Sequence, residues 1–335
     1  MKPLRTSFVA ILAMAAAAFA QAPAGAPVGP GAPGGLPGGP GAPAGRGGPG
    51  GGRGNFQPII IGPSAPVPPE VAIPHPTPAD IAAVNAEIQK LISSDNSTAA
   101  GLLRKYQSLL TLQPTRFNPA ATYTQTQQRQ GPRHEGFVEQ AKAGGIDLLF
   151  EGDSITDWWV QGDAKKAMFD KYFSQYKTAN FAIAGDTTQG VLWGLHNGEG
   201  QGFSPKAIMV MIGTNNTGGT NNAGSMTAAE IAEGVGAVVL EMRNDFPQAK
   251  ILLLAIFPRG DPGDSVRDKI ADINRMIAKL DDQKHVFYMD IGAKFLDAQG
   301  VFLPDAFQGD KLHPGPKGYD LWGAAVKDKI AELMK

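Results

Sequence analysis

The chain has no cysteine among its 335 residues. That excludes disulfides, thiolate catalysis, cysteine-ligated zinc and lipidation at a cysteine. It also lacks any apolar run of the roughly 18–20 residues that a bilayer span requires, so no transmembrane span is predicted. No cluster of lysine and arginine occurs, which argues against nucleic acid as a partner. There is no GxxxxGK phosphate loop, and the spacing of His, Asp and Glu suggests no metal site. Acidic residues are missing before Glu70. Residues 1–69 carry only Lys2, Arg5, Arg46 and Arg53, so the chain's net charge of −1 leaves −5 on residues 70–335.

What the chain has in quantity is confined to one place. Of its 43 Gly and 27 Pro, 16 Gly and 13 Pro fall in residues 21–69. Such a tract has too little apolar surface to offset its ordering entropy. Collagen is excluded because Pro37 stands where the triplet frame requires glycine. Residues 21–76 therefore read as a disordered tether, partly polyproline II. Ahead of it stand a basic start (Lys2, Arg5), an apolar stretch from Phe8 to Phe19, and the small-x-small site Ala18-Phe19-Ala20. Residues 1–20 read as a Sec signal peptide, which predicts a periplasmic or secreted protein.

Residues 77–130 read as a helical extension and linker. Ile81, Val84, Ile88 and Leu91 recur at helical spacing, as do Leu102, Leu103, Tyr106, Leu109 and Leu110. A helical hairpin that packs on the main domain is expected there. The polar stretch Gln113 to Gln130 would link it onward. Residues 131–335 form the expected catalytic domain. Short apolar runs at Ile146–Glu151, Thr178–Ile183, Ala207–Ile212, Lys250–Ile256 and His285–Asp290 have the character of buried parallel strands. Amphipathic helices lie between and after them, one opened by a capping box at Thr227 and Glu230. Five strands alternating with helices predict a three-layer α/β/α sandwich on a parallel sheet. Chemistry is then expected in the loops at the carboxyl ends of the strands.

Those loops hold four pieces. The first strand runs into Gly152-Asp153-Ser154, a setting suited to an exposed nucleophile, or to a helix N-cap. A second Gly-Asp-Ser at 263–265 follows a Pro-Gly turn and reads as helix capping, so the triplet alone decides nothing. The second strand leads to Gly185-Asp186, and the third to Gly213-Thr214-Asn215-Asn216. A glycine N–H and an asparagine amide aimed beside a serine would form an oxyanion hole, each donor worth ~2.7–4 kcal/mol. They are equally ordinary turn residues. Before the last helix stand Asp310 and His313, a base with a carboxylate three residues away to orient it; the alternative is a capping Asp and an incidental His. His75, His134 and His196 lie away from the predicted strand ends, His285 begins a strand at the opposite edge of the sheet, and none is given a role. Trp158, Trp159 and Trp193 are candidates for a pocket lining or for core. The Asn215–Thr227 loop borders the predicted site and is expected to shape its pocket.

The ordered set Ser, Gly, Asn, Asp-x-x-His resembles the sequence blocks of the SGNH (GDSL-type) hydrolases. The stretch from Asn180 to Trp193, the later Gly-Thr-Asn-Asn and Phe257-Pro258-Arg259-Gly260 are similar to the acetylhydrolase branch of that family. The resemblance implies a flavodoxin-like sheet of order 2-1-3-4-5 and no cofactor. It implies Ser154 as nucleophile, His313 as base and Asp310 as its orienting carboxylate. The backbone of Ser154 and Gly185 and the side chain of Asn215 would be the oxyanion donors. Asn216 replaces an Asp common in the family's third block, and Ala182 stands where that branch often has Gly. The implied function is an esterase for short acyl groups, acetyl first, with a small-molecule or polysaccharide ester as partner. Lipid esters are the alternative substrate, and a non-catalytic glycan-binding surface protein is the alternative class. The tether reads first as a dispensable tail, with a spacer that associates the protein with the cell envelope as the alternative.

Overall fold

The computed structural model describes residues 58–74, 76–94, 97–107, 117–218 and 226–335. The expected signal peptide, most of the tether, His75, Leu109, Leu110 and residues 219–225 lie outside the described residues. Five strands form one parallel sheet: β1 Leu148–Gly152, β2 Thr178–Asn180, β3 Ala207–Met211, β4 Lys250–Leu254 and β5 Val286–Met289. Their order is β2-β1-β3-β4-β5. Leu148 pairs with both Thr178 and Ala207, and Ile251 with Val286. β1 and β3 are buried along their whole length. A parallel sheet covered on both faces requires that, and it explains why the strands read as unbroken apolar runs.

The α-helices among the described residues are α1 Pro78–Ser94, α2 Thr98–Lys105, α3 Pro132–Ala143, α4 Ser154–Asp157, α5 Asp163–Phe173, α6 Thr188–Gly194, α7 Ala228–Asp245, α8 Ser265–Ile277 and α9 Pro316–Leu333. Alternate strand residues divide the core. Leu149, Ile208, Val210, Ile251 and Leu253 pack with α6, α7 and α8. Leu148, Phe150, Met209, Leu252 and Leu254 pack with α5 and α9 around Trp159 and Trp322. The capping box forms at the head of α7, where Thr227 Oγ1 accepts from Glu230 N and Glu230 Oε2 accepts from Thr227 N. Ser265 opens α8, as expected of the second Gly-Asp-Ser. The Asp264 carboxylate, however, makes no cap bond and instead accepts from Asp261 N.

α1 and α2 belong to a compact unit of their own within residues 75–116. Arg104 Nη1 donates to the Ile92 carbonyl, and Ser97 caps α2 by accepting from Ala100 N.

The main body is longer than the sequence boundaries suggested. It takes in residues 58–74, read as tether, and 117–130, read as linker. Ala65 N donates to Ala121 O (2.8 Å), Tyr123 N to Pro63 O (2.9 Å) and Gly62 N to Thr124 Oγ1 (3.0 Å). Ser64 and Thr122 form an antiparallel bridge. Farther along, Ile73 N and Asn118 Nδ2 both donate to the buried carboxylate of Glu233 on α7. Composition hid this, because the segment is held through its backbone rather than by a run of apolar side chains.

Candidate active site

β1 delivers Ser154 to the carboxyl edge of the sheet at the first residue of α4. Asp153 caps that helix, its Oδ1 accepting from Ile155 N at 3.0 Å. Tyr319 Oη on α9 donates to the Ile155 carbonyl at 2.8 Å and fixes the turn from behind. Because the strand order reverses between β1 and β3, the crevice of the fold opens at this point.

Ser154 Oγ lies 2.8 Å from His313 Nε2, and His313 Nδ1 lies 2.6 Å from Asp310 Oδ2. The Asp–His pair is built within one turn. Asp310 Oδ1 accepts from the backbone N–H of Leu312 and of His313, both at 3.0 Å. Burial opposes ionisation of Asp310. The His313 ring and the two backbone donors outweigh it and hold the carboxyl below its ordinary value. Trp158 covers His313, the ring centroids 4.1 Å apart and tilted by 30°. Its neighbour Trp159 is fully buried and belongs to the core.

Gly185 follows β2 with φ of +81°, a conformation that disfavours any residue with a Cβ. Asn215 Nδ2 donates to the carbonyl of Asp186 at 2.7 Å, which uses one of its two N–H groups and leaves the other. The neighbouring Asn216 is fully buried. Its Oδ1 accepts from Thr188 N, and its Nδ2 donates to Gln189 Oε1 at 2.9 Å. At this position an uncharged side chain that both donates and accepts ties the loop after β3 to the start of α6.

Sequence reasoning missed the group that holds these loops in place. Arg129 is fully buried. Its Nε donates to Asp186 Oδ2 (2.7 Å), its Nη2 to Glu151 Oε1 (2.9 Å) and its Nη1 to Glu199 Oε2. Glu151 is the residue before Gly152 on β1, and Asp186 follows Gly185. One guanidinium thus ties the approach to the serine to the loop after β2. Thr126 Oγ1 adds a bond to Asp186 Oδ1 (3.1 Å), and His134 lies 2.7 Å from Glu199 Oε1, against Trp193. Burial pushes the Glu151 and Asp186 carboxyls upward, against the pull of Arg129. The surrounding carboxylates raise Arg129 well above its ordinary value despite its burial. A lone arginine among glutamines, with partners 22, 57 and 70 residues away, leaves no local pattern to find.

Among the described residues, His196 and His285 stand apart from this group. His196 lies 3.2 Å from Glu241, and His285 is paired at 3.7 Å with Asp282.

A serine at the carboxyl edge of the sheet, in hydrogen-bond contact with an imidazole that a carboxylate orients, can act as an activated nucleophile. Comparison with known proteins finds a likeness to acylhydrolases. Residues 150–321 match the GDSL-like lipase/acylhydrolase family. The chain is 36% identical over 225 residues to the chicken (Gallus gallus) platelet-activating factor acetylhydrolase IB subunit alpha2, covering 65% of this chain and 93% of that one. It is 31% identical over 223 residues to the human alpha1 subunit, covering 65% and 91%. Among solved structures, a putative acylhydrolase from Bacteroides fragilis shares the fold, with a TM-score of 0.50 and 18% identity over 60% of this chain and 97% of that one.

Proposed function

The chain belongs to the GDSL-like lipase/acylhydrolase family and is an esterase, and from that premise we propose that it cleaves short-chain esters, acetyl first, through a Ser154-His313-Asp310 acyl-enzyme mechanism. The observation that carries the mechanism is the chain of contacts from Ser154 Oγ to His313 Nε2 at 2.8 Å and from His313 Nδ1 to Asp310 Oδ2 at 2.6 Å.

In this reading His313 takes the serine proton as Ser154 Oγ attacks the ester carbonyl. Asp310 holds the ring in the tautomer that presents Nε2 as acceptor and stabilises the imidazolium. The oxyanion is met by the N–H groups of Ser154 and Gly185 and by the remaining amide N–H of Asn215. His313 then returns its proton to the departing alcohol. Water, deprotonated by the same imidazole, attacks the acyl-Ser154 carbonyl, and the carboxylic acid leaves as Ser154 is reprotonated.

We place the acetyl group on carbohydrate. The export signal predicted at residues 1–20 would bring the enzyme to envelope or environmental polysaccharide first. A lipid ester is the second reading, favoured by relatives named for platelet-activating factor. Three experiments test the proposal. A fluorophosphonate probe should label Ser154, which a non-catalytic glycan-binding protein would not permit. Ser154→Ala should lower turnover of p-nitrophenyl acetate by roughly 10^4-fold or more; full turnover in that variant overturns the mechanism. Acetate release measured across acetylated xylan, pectin, peptidoglycan and acetylated phospholipid decides the substrate class.

A further inference from the structure

A cavity of about 230 Å³ lies beside Gly185. Liquid water occupies about 30 Å³ per molecule, so the cavity has the volume of about eight waters. That is far larger than the methyl group of an acetyl ester and close to a single sugar ring. None of the described residues that line it is charged. Ile59, Ile61 and Met226 supply apolar surface. Gln128, Thr187 and Gln189 supply amides and a hydroxyl.

The polar groups are poised for a ligand. Thr187 is 4% exposed, and its hydroxyl has no hydrogen-bond partner among the described residues. The Gln189 oxygen is committed to Asn216 Nδ2, which leaves its amide nitrogen as a donor. A long acyl chain seated here would leave these groups unpaired. A phosphocholine headgroup would bring two charges into a site with no countercharge. A neutral sugar ring matches both parts, with hydroxyls for the amides and threonine and a C–H face for the isoleucines.

One wall comes from outside the family match, which begins at residue 150. Residues 58–65 run as a strap alongside residues 121–124, held by the backbone bonds from Gly62, Ala65 and Tyr123. Position 62 must be glycine for this approach, since a Cβ there would stand 1.8 Å from the Tyr123 carbonyl oxygen. The strap thereby holds Ile59 and Ile61 at the cavity. Both remain more than half exposed, at 51% and 61%.

We propose that this cavity is the subsite for the alcohol side of the ester, that it takes one neutral sugar ring of an acetylated saccharide, and that the strap is its specificity-determining wall. The proposal rests on Ser154 being the nucleophile. The test compares the full chain with an Ile59→Ser/Ile61→Ser double variant, whose substitutions leave the core intact. Substrates are a panel of monoacetylated methyl pyranosides, an acetylated phosphocholine lipid, and p-nitrophenyl acetate and butanoate. The parent protein should favour at least one acetyl pyranoside over the lipid. The double variant should raise KM for that pyranoside 10-fold or more with kcat within 2-fold, so that its preference over p-nitrophenyl acetate falls at least 5-fold. Gly62→Val, which displaces the strap, should act in the same direction. Preference of the parent for the lipid overturns the proposal. So does an unchanged preference in the double variant, or a shift confined to acetate against butanoate, which would make the cavity an acyl pocket. Each of those outcomes leaves fluorophosphonate labelling of Ser154 intact, whereas loss of labelling strikes at the nucleophile itself.

Discussion

Asn215 and Asp153 flank the serine chemistry in different ways. The Asn215 side chain braces the loop after β2 with one N–H and, in the proposed mechanism, meets the oxyanion with the other. Asn215→Ala should therefore lower kcat for p-nitrophenyl acetate by roughly 10^2–10^3-fold with little change in KM. An equal loss carried by KM would make the residue a binding group only. Asp153 is 1% exposed; its Oδ1 caps α4 and its Oδ2 has no partner among the described residues. Burial raises its pKa from 3.8 to about 7, aided by Asp186 and Asp157 and opposed by Ile155 N and Arg259. The unfolded chain gives up this proton near pH 4, while the folded chain keeps it until near pH 7. The folded state then binds more protons across that window, so stability is full below it and declines as pH rises through it. Asp153→Asn keeps the cap acceptor and removes the titration. Its stability should gain on the parent by more at pH 8 than at pH 5, by a margin on the order of a few kcal/mol. Urea unfolding at the two pH values measures this, and an equal difference at both rules Asp153 out as the titrating group.

Between elements, the decisive contact is Arg129. It joins β1, the loop after β2 and the turn that follows α6 through three carboxylates. Arg129→Met should cost about 3–5 kcal/mol of stability, because it strands buried charges without a partner. A lysine at 129 should restore only part of this, since an ammonium cannot present the forked donors. Denaturant titration of the two variants checks both statements. The same scale shows where sequence reasoning succeeds and where it stops. β1 and β3 were visible as apolar runs because both their faces are covered. α8 and α9 were visible because each has a wet face and a dry one; α7, buried along most of its length, was visible through its apolar spacing and its capping box. Asp310 and His313 were legible because a single turn builds the pair. Ser154 was legible because strand, glycine and helix start are adjacent in sequence. Arg129 and the strap were not, because their partners are brought to them by the fold alone.

At the scale of the whole molecule, the catalytic body begins well before the first strand. Val71 and Ala65 belong to its core, and Ile73 and Asn118 share Glu233 on α7. A chain starting at residue 58 should melt within a few degrees of the full protein and keep its esterase activity. One starting at residue 131 should lose its cooperative melting transition, since it lacks both the strap and Arg129. Thermal unfolding followed by circular dichroism distinguishes the two, and a well-folded, active 131–335 fragment would contradict this view. The buried arginine also answers the missing cysteine. It closes loops of 22, 57 and 70 residues, the task that a crosslink of sulfur performs in many exported proteins. A crosslink of charge assembles without an oxidant and cannot be mispaired by thiol exchange. The protein should accordingly refold from denaturant to full activity in strongly reducing and strongly oxidising buffers alike, independent of any thiol–disulfide catalyst.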